Sequence, residues 1–183
     1  MEVDMSDDKK TQDKAFEVAL ATRNFEIELF WKRSVFFWGF IASSFVGYAS
    51  LIKASSGLSV VIACFGFVCS FAWALVNRGS KRWQENWELI VADLEDEVTG
   101  SLFTKRESKC KGTSWLSARN YSVSKVTIAL SDFTVLIWLA LIVWHVMRQF
   151  CSAQISESVV VLMISVASII YAVLIAVKGR SSD

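Results

Sequence analysis

Four long apolar runs, almost free of charge, constrain this chain more than any other feature of its sequence. The first, 34–52, reads SVFFWGFIASSFVGYASLI, and the second, 58–76, reads LSVVIACFGFVCSFAWALV. The third, 126–147, is VTIALSDFTVLIWLALIVWHVM, interrupted by Asp132 and His145, and the fourth, 158–177, is the uncharged SVVVLMISVASIIYAVLIAV. A helix needs about 20 residues to cross the ~30 Å hydrocarbon core of a bilayer, and each run meets that length. Buried helices this long and this apolar would otherwise need a much larger soluble body around them. The connectors 53–57 and 148–157 are short, whereas 77–125 is long and polar. The expected fold is an all-α integral membrane protein: four transmembrane helices as two hairpins, with amphipathic helices in the cytosolic parts. The chain then divides into a segment 1–33, a hairpin 34–76, a middle segment 77–125, a hairpin 126–177 and a tail 178–183.

Orientation follows the basic residues, because Lys and Arg are retained on the cytoplasmic side. Of 19 Lys and Arg residues, all but Lys53 and Arg148 lie outside the hairpin tips. Both termini and the middle segment are therefore expected in the cytosol. Trp31, Trp38, Trp73 and Trp144, near the run ends, suit interfacial belts. The first 30 residues are charged and carry no apolar stretch of the signal-peptide kind.

Composition narrows the chemistry. A net charge of +1 gives no field that would draw nucleic acid. Cys64, Cys69, Cys110 and Cys151 form no CxxC pair and match no metal-ligand spacing. With one histidine in the chain, most catalytic triads and zinc sites are excluded, and no phosphate loop, HExxH or GxSxG is present. No catalytic residue, cofactor or metal is expected, and the chain reads as a non-enzyme.

Two polar stretches have helical patterning. Residues 13–33 place Phe16, Leu20, Ile27, Phe30 and Trp31 near a 3.6-residue period. No breaker separates them from the first run, so one long helix crossing the membrane surface is open. Residues 80–98 carry Trp83, Trp87, Ile90, Val91, Leu94 and Val98 as an apolar stripe. Arg78 and Gly79 leave room for a break after the second run, Ser80 is a candidate cap, and Gly100 a candidate stop. This stripe either packs on the N-terminal helix as a bundle or offers Trp83, Trp87 and Leu94 as an oligomer or partner contact. Asp93, Glu95, Asp96 and Glu97 argue against a helix lying on the membrane surface, where Lys and Arg are favoured. Residues 103–119 read as a basic loop, placed by positive-inside topology or by contact with anionic headgroups. Ser122 or Ser124 is the expected cap of the third helix.

Within the spans, small residues recur every four positions: Gly39, Ser43 and Gly47; Gly66, Ser70 and Ala74; Ser168, Ala172 and Ala176. Such stripes let helices approach closely, within or between chains. Asp132 has two readings. It is a pore-lining or proton-relay carboxylate, or it lies near the headgroups and pairs with Lys125 two turns below. The apolar FTVLIWLALIVW between Asp132 and His145 argues against a relay within one chain, and His145 with Arg148 reads as an interfacial anchor.

The runs RNFEIELFWKRSVFFWGFIASSFVGYASL, WALVNRGSKRWQENWELIVADLEDEVTGSLF and YSVSKVTIALSDFTVLIW resemble the RipA-like family of small octameric bacterial inner-membrane proteins. The resemblance implies a bacterial cytoplasmic membrane and a homo-oligomer, an octamer, and carries no site residues with it. Three functions follow as expectations. The first is a homo-oligomeric scaffold or partner-binding module acting through its cytosolic helices, in contact with lipid and an unidentified cytosolic protein. The second is an oligomeric channel with Asp132 on the pathway. The third is a membrane-perturbing stress or defence effector.

Overall fold

The computed structural model describes residues 2–53, 56–100, 102 and 121–150, with 166, 169–171, 173, 174 and 177 beyond them. Among the described residues the continuous elements are three α-helices, α1 (Glu2–Leu51), α2 (Ser56–Val98) and α3 (Val123–Phe150), and the described residues from 166 to 177 are helical too. Among the described residues all three are long and apolar enough to cross a membrane. The fourth run, 158–177, lies largely outside the described residues, as do the basic loop 103–119 and most of the second hairpin's connector.

Continuity is the main departure from a hairpin with separate cytosolic helices. α1 has 50 residues and α2 has 43, so at 1.5 Å per residue they run for about 75 and 65 Å. Each passes unbroken from its apolar run into its charged segment. The expected break at Arg78 and Gly79 does not occur, and Ser80 is mid-helix and buried rather than a cap. Gly79 costs a helix interior about 1 kcal/mol, which packing on both flanks of α2 offsets: α1 lies along one side and α3 along another.

The sequence reason for this continuity is a heptad. On α1, Phe16, Leu20, Arg23, Ile27, Phe30, Ser34, Phe37, Ile41, Ser44 and Tyr48 alternate by four and three residues, and all are buried or half-buried. On α2 the same alternation runs Ser59, Ala63, Gly66, Ser70, Trp73, Asn77, Ser80, Gln84, Trp87, Val91, Leu94 and Val98, again without an exposed member. A 3.5-residue repeat holds one seam against a partner helix over many turns. The two helices therefore form an antiparallel pair that starts in the apolar region and continues as a stalk. Contacts fix the heights: Gly47 meets Ile62, Ser34 meets Trp73, Arg23 meets Glu88, and Phe16 packs with Val91.

The stalk has its own small core of Phe16, Ala19 and Val91, flanked by Leu20, Trp87, Ile90, Leu94 and Val98. Burying a side chain such as Phe16 contributes about 1.5–3 kcal/mol. The Arg23–Glu88 pair on its flank, at 3.9 Å and partly exposed, contributes little beside that. α2 stops where the left-handed conformation of Gly100, at φ +66°, lets its N–H donate to the Glu95 carbonyl at 3.1 Å. α3 starts on Ser122, whose hydroxyl accepts from the Lys125 N–H at 3.4 Å while its carbonyl accepts from Val126 at 3.1 Å.

Candidate functional site

The polar residues gather where the apolar stretches of the three helices end. Arg78 comes from α2, one turn past Ala74, whose carbonyl accepts from Arg78 Nη1 at 3.0 Å. Its Nη2 donates to Asp132 Oδ2 on α3 at 2.8 Å. The partner of Asp132 expected from sequence was Lys125, on its own helix; the structure supplies Arg78 from α2 instead. The Ser124 hydroxyl donates to Gln84 Oε1 at 3.2 Å, which sets the first turn of α3 beside the stalk rather than among the apolar runs. Asp132 is thus level with the end of the second run, and the apolar crossing of α3 begins there. From Asp132 to Arg148 is a helix of about 25 Å.

Behind this pair lies a buried layer. The Trp73 indole N–H donates to Ser34 Oγ at 3.4 Å, and Arg33 Nη1 donates to Ser80 Oγ at 3.2 Å. Asn77 is 1 % exposed, and neither its carbonyl oxygen nor its amide nitrogen has a hydrogen-bond partner among the described residues. A buried Asn at a heptad seam costs stability and fixes register. Ser131 and Thr134 on α3 return their hydroxyls to their own helix, bonding the Ile128 and Leu130 carbonyls. Trp73, expected in an interfacial belt, is 2 % exposed and sits between helices, with Trp38 edge-on at 6.1 Å. Its neighbours on the seam are small, so the indole fills the space their missing volume leaves.

A second polar cluster closes the opposite end of the apolar region. His145 is buried, its Nε2 3.3 Å from Ser59 Oγ, with the Tyr48 ring edge-on at 6.3 Å. His145, expected as an interfacial anchor, instead packs its ring between helices against Ser59 and Tyr48. Arg148 is exposed and lies over the Trp144 ring at 5.8 Å.

Between the two layers, Trp138 is fully buried, stacked on Phe45 at 4.2 Å and edge-on to Tyr48. It reaches α1 across α2 because Gly66 has no side chain: a Cβ there would fall inside the Trp138 indole, 2.8 Å from Cδ2 and closer to two other ring atoms. Ser70 is buried one turn on. Gly47 packs on Ile62, whereas Gly39 has nothing within 4 Å of its Cβ position and Ser43 is exposed. The stripe of span one thus points mostly away from α2 and α3.

On the stalk the three aromatic and aliphatic contact candidates separate. Trp87 and Leu94 belong to the stalk core, while Trp83 is 58 % exposed on a flank. Sequence periodicity at 3.6 placed all three on one stripe; the heptad excludes Trp83 from it. The residues that sequence reasoning passed over are Asn77, Arg78 and Trp138. For Asn77 the signal was the four–three alternation through Gly66, Trp73 and Asn77, which crosses the boundary between apolar and charged sequence; Arg78 and Trp138 lie off that seam.

What this arrangement can do chemically is hold one ion pair and several hydroxyls at the end of the apolar stretches. Among the described residues no three His, Cys, Asp or Glu side chains are placed to hold a metal ion. No curated protein and no solved structure matches the chain. Residues 13–147, which include the whole paired length of α1 and α2 and most of α3, match the octameric membrane protein family. The continuous seam, the three apolar helices and that match agree, and the chain belongs to the octameric membrane protein family.

Proposed function

We propose that the chain is the non-enzymatic subunit of a homo-octameric scaffold in a bacterial cytoplasmic (inner) membrane. Each subunit crosses four times, and its termini and stalk face the cytosol. The excess of Lys and Arg outside the hairpin tips supports this orientation. The observation that carries the scaffold reading is the stalk. Two helices that pair along one seam leave the apolar region together, yet Val18, Phe25, Trp83 and Leu89 on the stalk remain more than half exposed. In this topology they lie beyond the apolar runs, and apolar surface left in water marks a contact still to be made. Assembly of eight stalks, or capture of a cytosolic protein partner by them, covers it. Lipid is the other partner; nucleic acid is not.

Native mass spectrometry in mild detergent tests this. The wild-type chain should give the mass of eight subunits, and Trp83→Ala should shift it to smaller species while helix content is kept. Trp87→Ala should instead loosen the stalk core, at a cost of roughly 2 kcal/mol for a half-buried indole. An unchanged octamer in Trp83→Ala would remove Trp83 from the contact.

A channel is the second reading, favoured by the Arg78–Asp132 pair, whose side chains are 48 % and 31 % exposed at the edge of an apolar region. Rings of charged side chains are one way in which a pore selects ions. Reconstituted protein would then pass ions with a selectivity that Asp132→Asn changes. Absence of current across a range of pH and voltage removes this reading and leaves the scaffold.

A further inference from the structure

We propose that the outward edge of α1 is a subunit interface, and that its occupant is the free flank of α2 in the next copy of this chain, head to tail around a ring. The inference rests on the octameric, single-orientation reading above.

The first step is symmetry. Copies that share one orientation in a membrane can be related only by an axis along its normal, since an axis in the membrane plane would invert half of them. Eight identical copies then close as a ring through a heterologous contact, in which two different surfaces meet. Such an axis leaves every residue at the same height in all copies. The height match seen inside the chain therefore also holds between neighbours.

The second step is the pair of free surfaces. α1 carries a second four–three series two residues out of phase with its seam, and so nearly opposite to it. It runs through Val18, Phe25 and Lys32 on the stalk to Phe36, Gly39 and Ser43 in the apolar region, and each of these is exposed. On α2, α3 covers the flank that bears Arg78 and Gln84. The flank turned from it shows Trp83, Asn86 and Asp93 on the stalk.

Matched by height, the two surfaces complement each other in size and in charge. Arg23 meets Glu88 inside the chain, which puts Phe25 level with Trp83 and Asn86. Phe16 meets Val91, which puts Lys14 level with Asp93. Lys14 and Asp93 are both exposed, and neither makes an ion pair among the described residues. They lie on opposite edges of the two-helix unit, so only a neighbouring copy brings them together. In the apolar region the bulk alternates. Phe36 is level with Ala72, while the gap at Ser43 is level with Phe65, which is about half exposed. Small residues facing large ones permit close helix contact in lipid.

The experiment uses the full-length chain with its four cysteines changed to serine, its mass first measured in mild detergent. Phe25→Cys combined with Trp83→Cys, treated with copper phenanthroline or a short bis-maleimide, should give a ladder of covalent multimers on a denaturing gel. Each single variant should stay monomeric there. Should that double variant misassemble, Lys14→Cys with Asp93→Cys is the second pair and should give the same ladder. An octamer by mass that yields no ladder with either pair overturns the interface alone. A covalent dimer from Phe25→Cys by itself would show a two-fold contact and overturn the head-to-tail arrangement. A mass other than eight subunits overturns the octameric reading, and with it this one. Independently, Lys14→Glu should reduce the octamer fraction at low salt, and adding Asp93→Lys should restore it; no change in either overturns the charge match.

Discussion

Trp138→Ala should destabilise the subunit by about 3 kcal/mol, the low end of what loss of a buried indole costs in a protein interior. The low end applies because lipid is as apolar as the site, so the transfer part of the penalty is absent and the lost packing remains. That packing is extensive: Trp138 is fully buried, stacks on Phe45, and lies against Tyr48 and the backbone at Gly66. Gly66→Ala approaches the same contact from the other side. Its new methyl would overlap three indole atoms, and overpacking of this kind costs about 1–3 kcal/mol. The combination Gly66→Ala with Trp138→Leu should cost less than the two changes added, because a smaller side chain frees the space the methyl needs. Thermal melts followed by circular dichroism in mild detergent read all three. A midpoint unmoved by Gly66→Ala would show that α3 does not pack there.

The second large effect concerns the boundary pair. Arg78→Glu places two carboxylates where Arg78 and Asp132 now meet at 2.8 Å. The cost should be about 1–3 kcal/mol, above an exposed pair in water and below a charge at the bilayer centre. The reversed pair, Arg78→Asp with Asp132→Arg, should recover most of it, and the recovery is the diagnostic part. Lower yield of folded protein from membranes and a lower melting midpoint are the expected readings in Arg78→Glu. Equal loss in the single and the reversed variants would mean that the two side chains act separately.

The spans were legible because hydrophobicity is a local quantity: nineteen consecutive uncharged residues in 34–52 need no partner to be recognised. The unbroken helices were less so. Around Arg78, Gly79 and Ser80 the local signals of charge, glycine and a capping hydroxyl all favour a break. What overrides them is register, carried from Trp73 through Asn77 and Ser80 to Gln84 and Trp87, and register becomes decisive only when a second helix follows it. Asp132 shows the same limit. Its own helix offered Lys125, whereas the group it meets is 54 residues away in sequence. Trp138 sat within the uniform run FTVLIWLALIVW, where nothing marks one apolar residue as central. The small-residue stripes were visible, but their directions were not: Gly66 faces Trp138 and Gly39 faces outward.

The absence of a joint between span and stalk gives the chain a mechanical property. α1 projects beyond its apolar stretch by 32 residues or so, about 48 Å of helix, and for much of that length it is braced by α2. A hinge at the membrane surface would let the apolar ends tilt without disturbing what lies below. A braced rod does the opposite: a tilt of about 5° at the membrane carries its far end sideways by roughly 4 Å, close to half the spacing between packed helices. Changes in bilayer thickness act on helices through tilt. In the proposed octamer, a tilt of the apolar ends set by bilayer thickness is therefore carried to the stalk tips as a displacement.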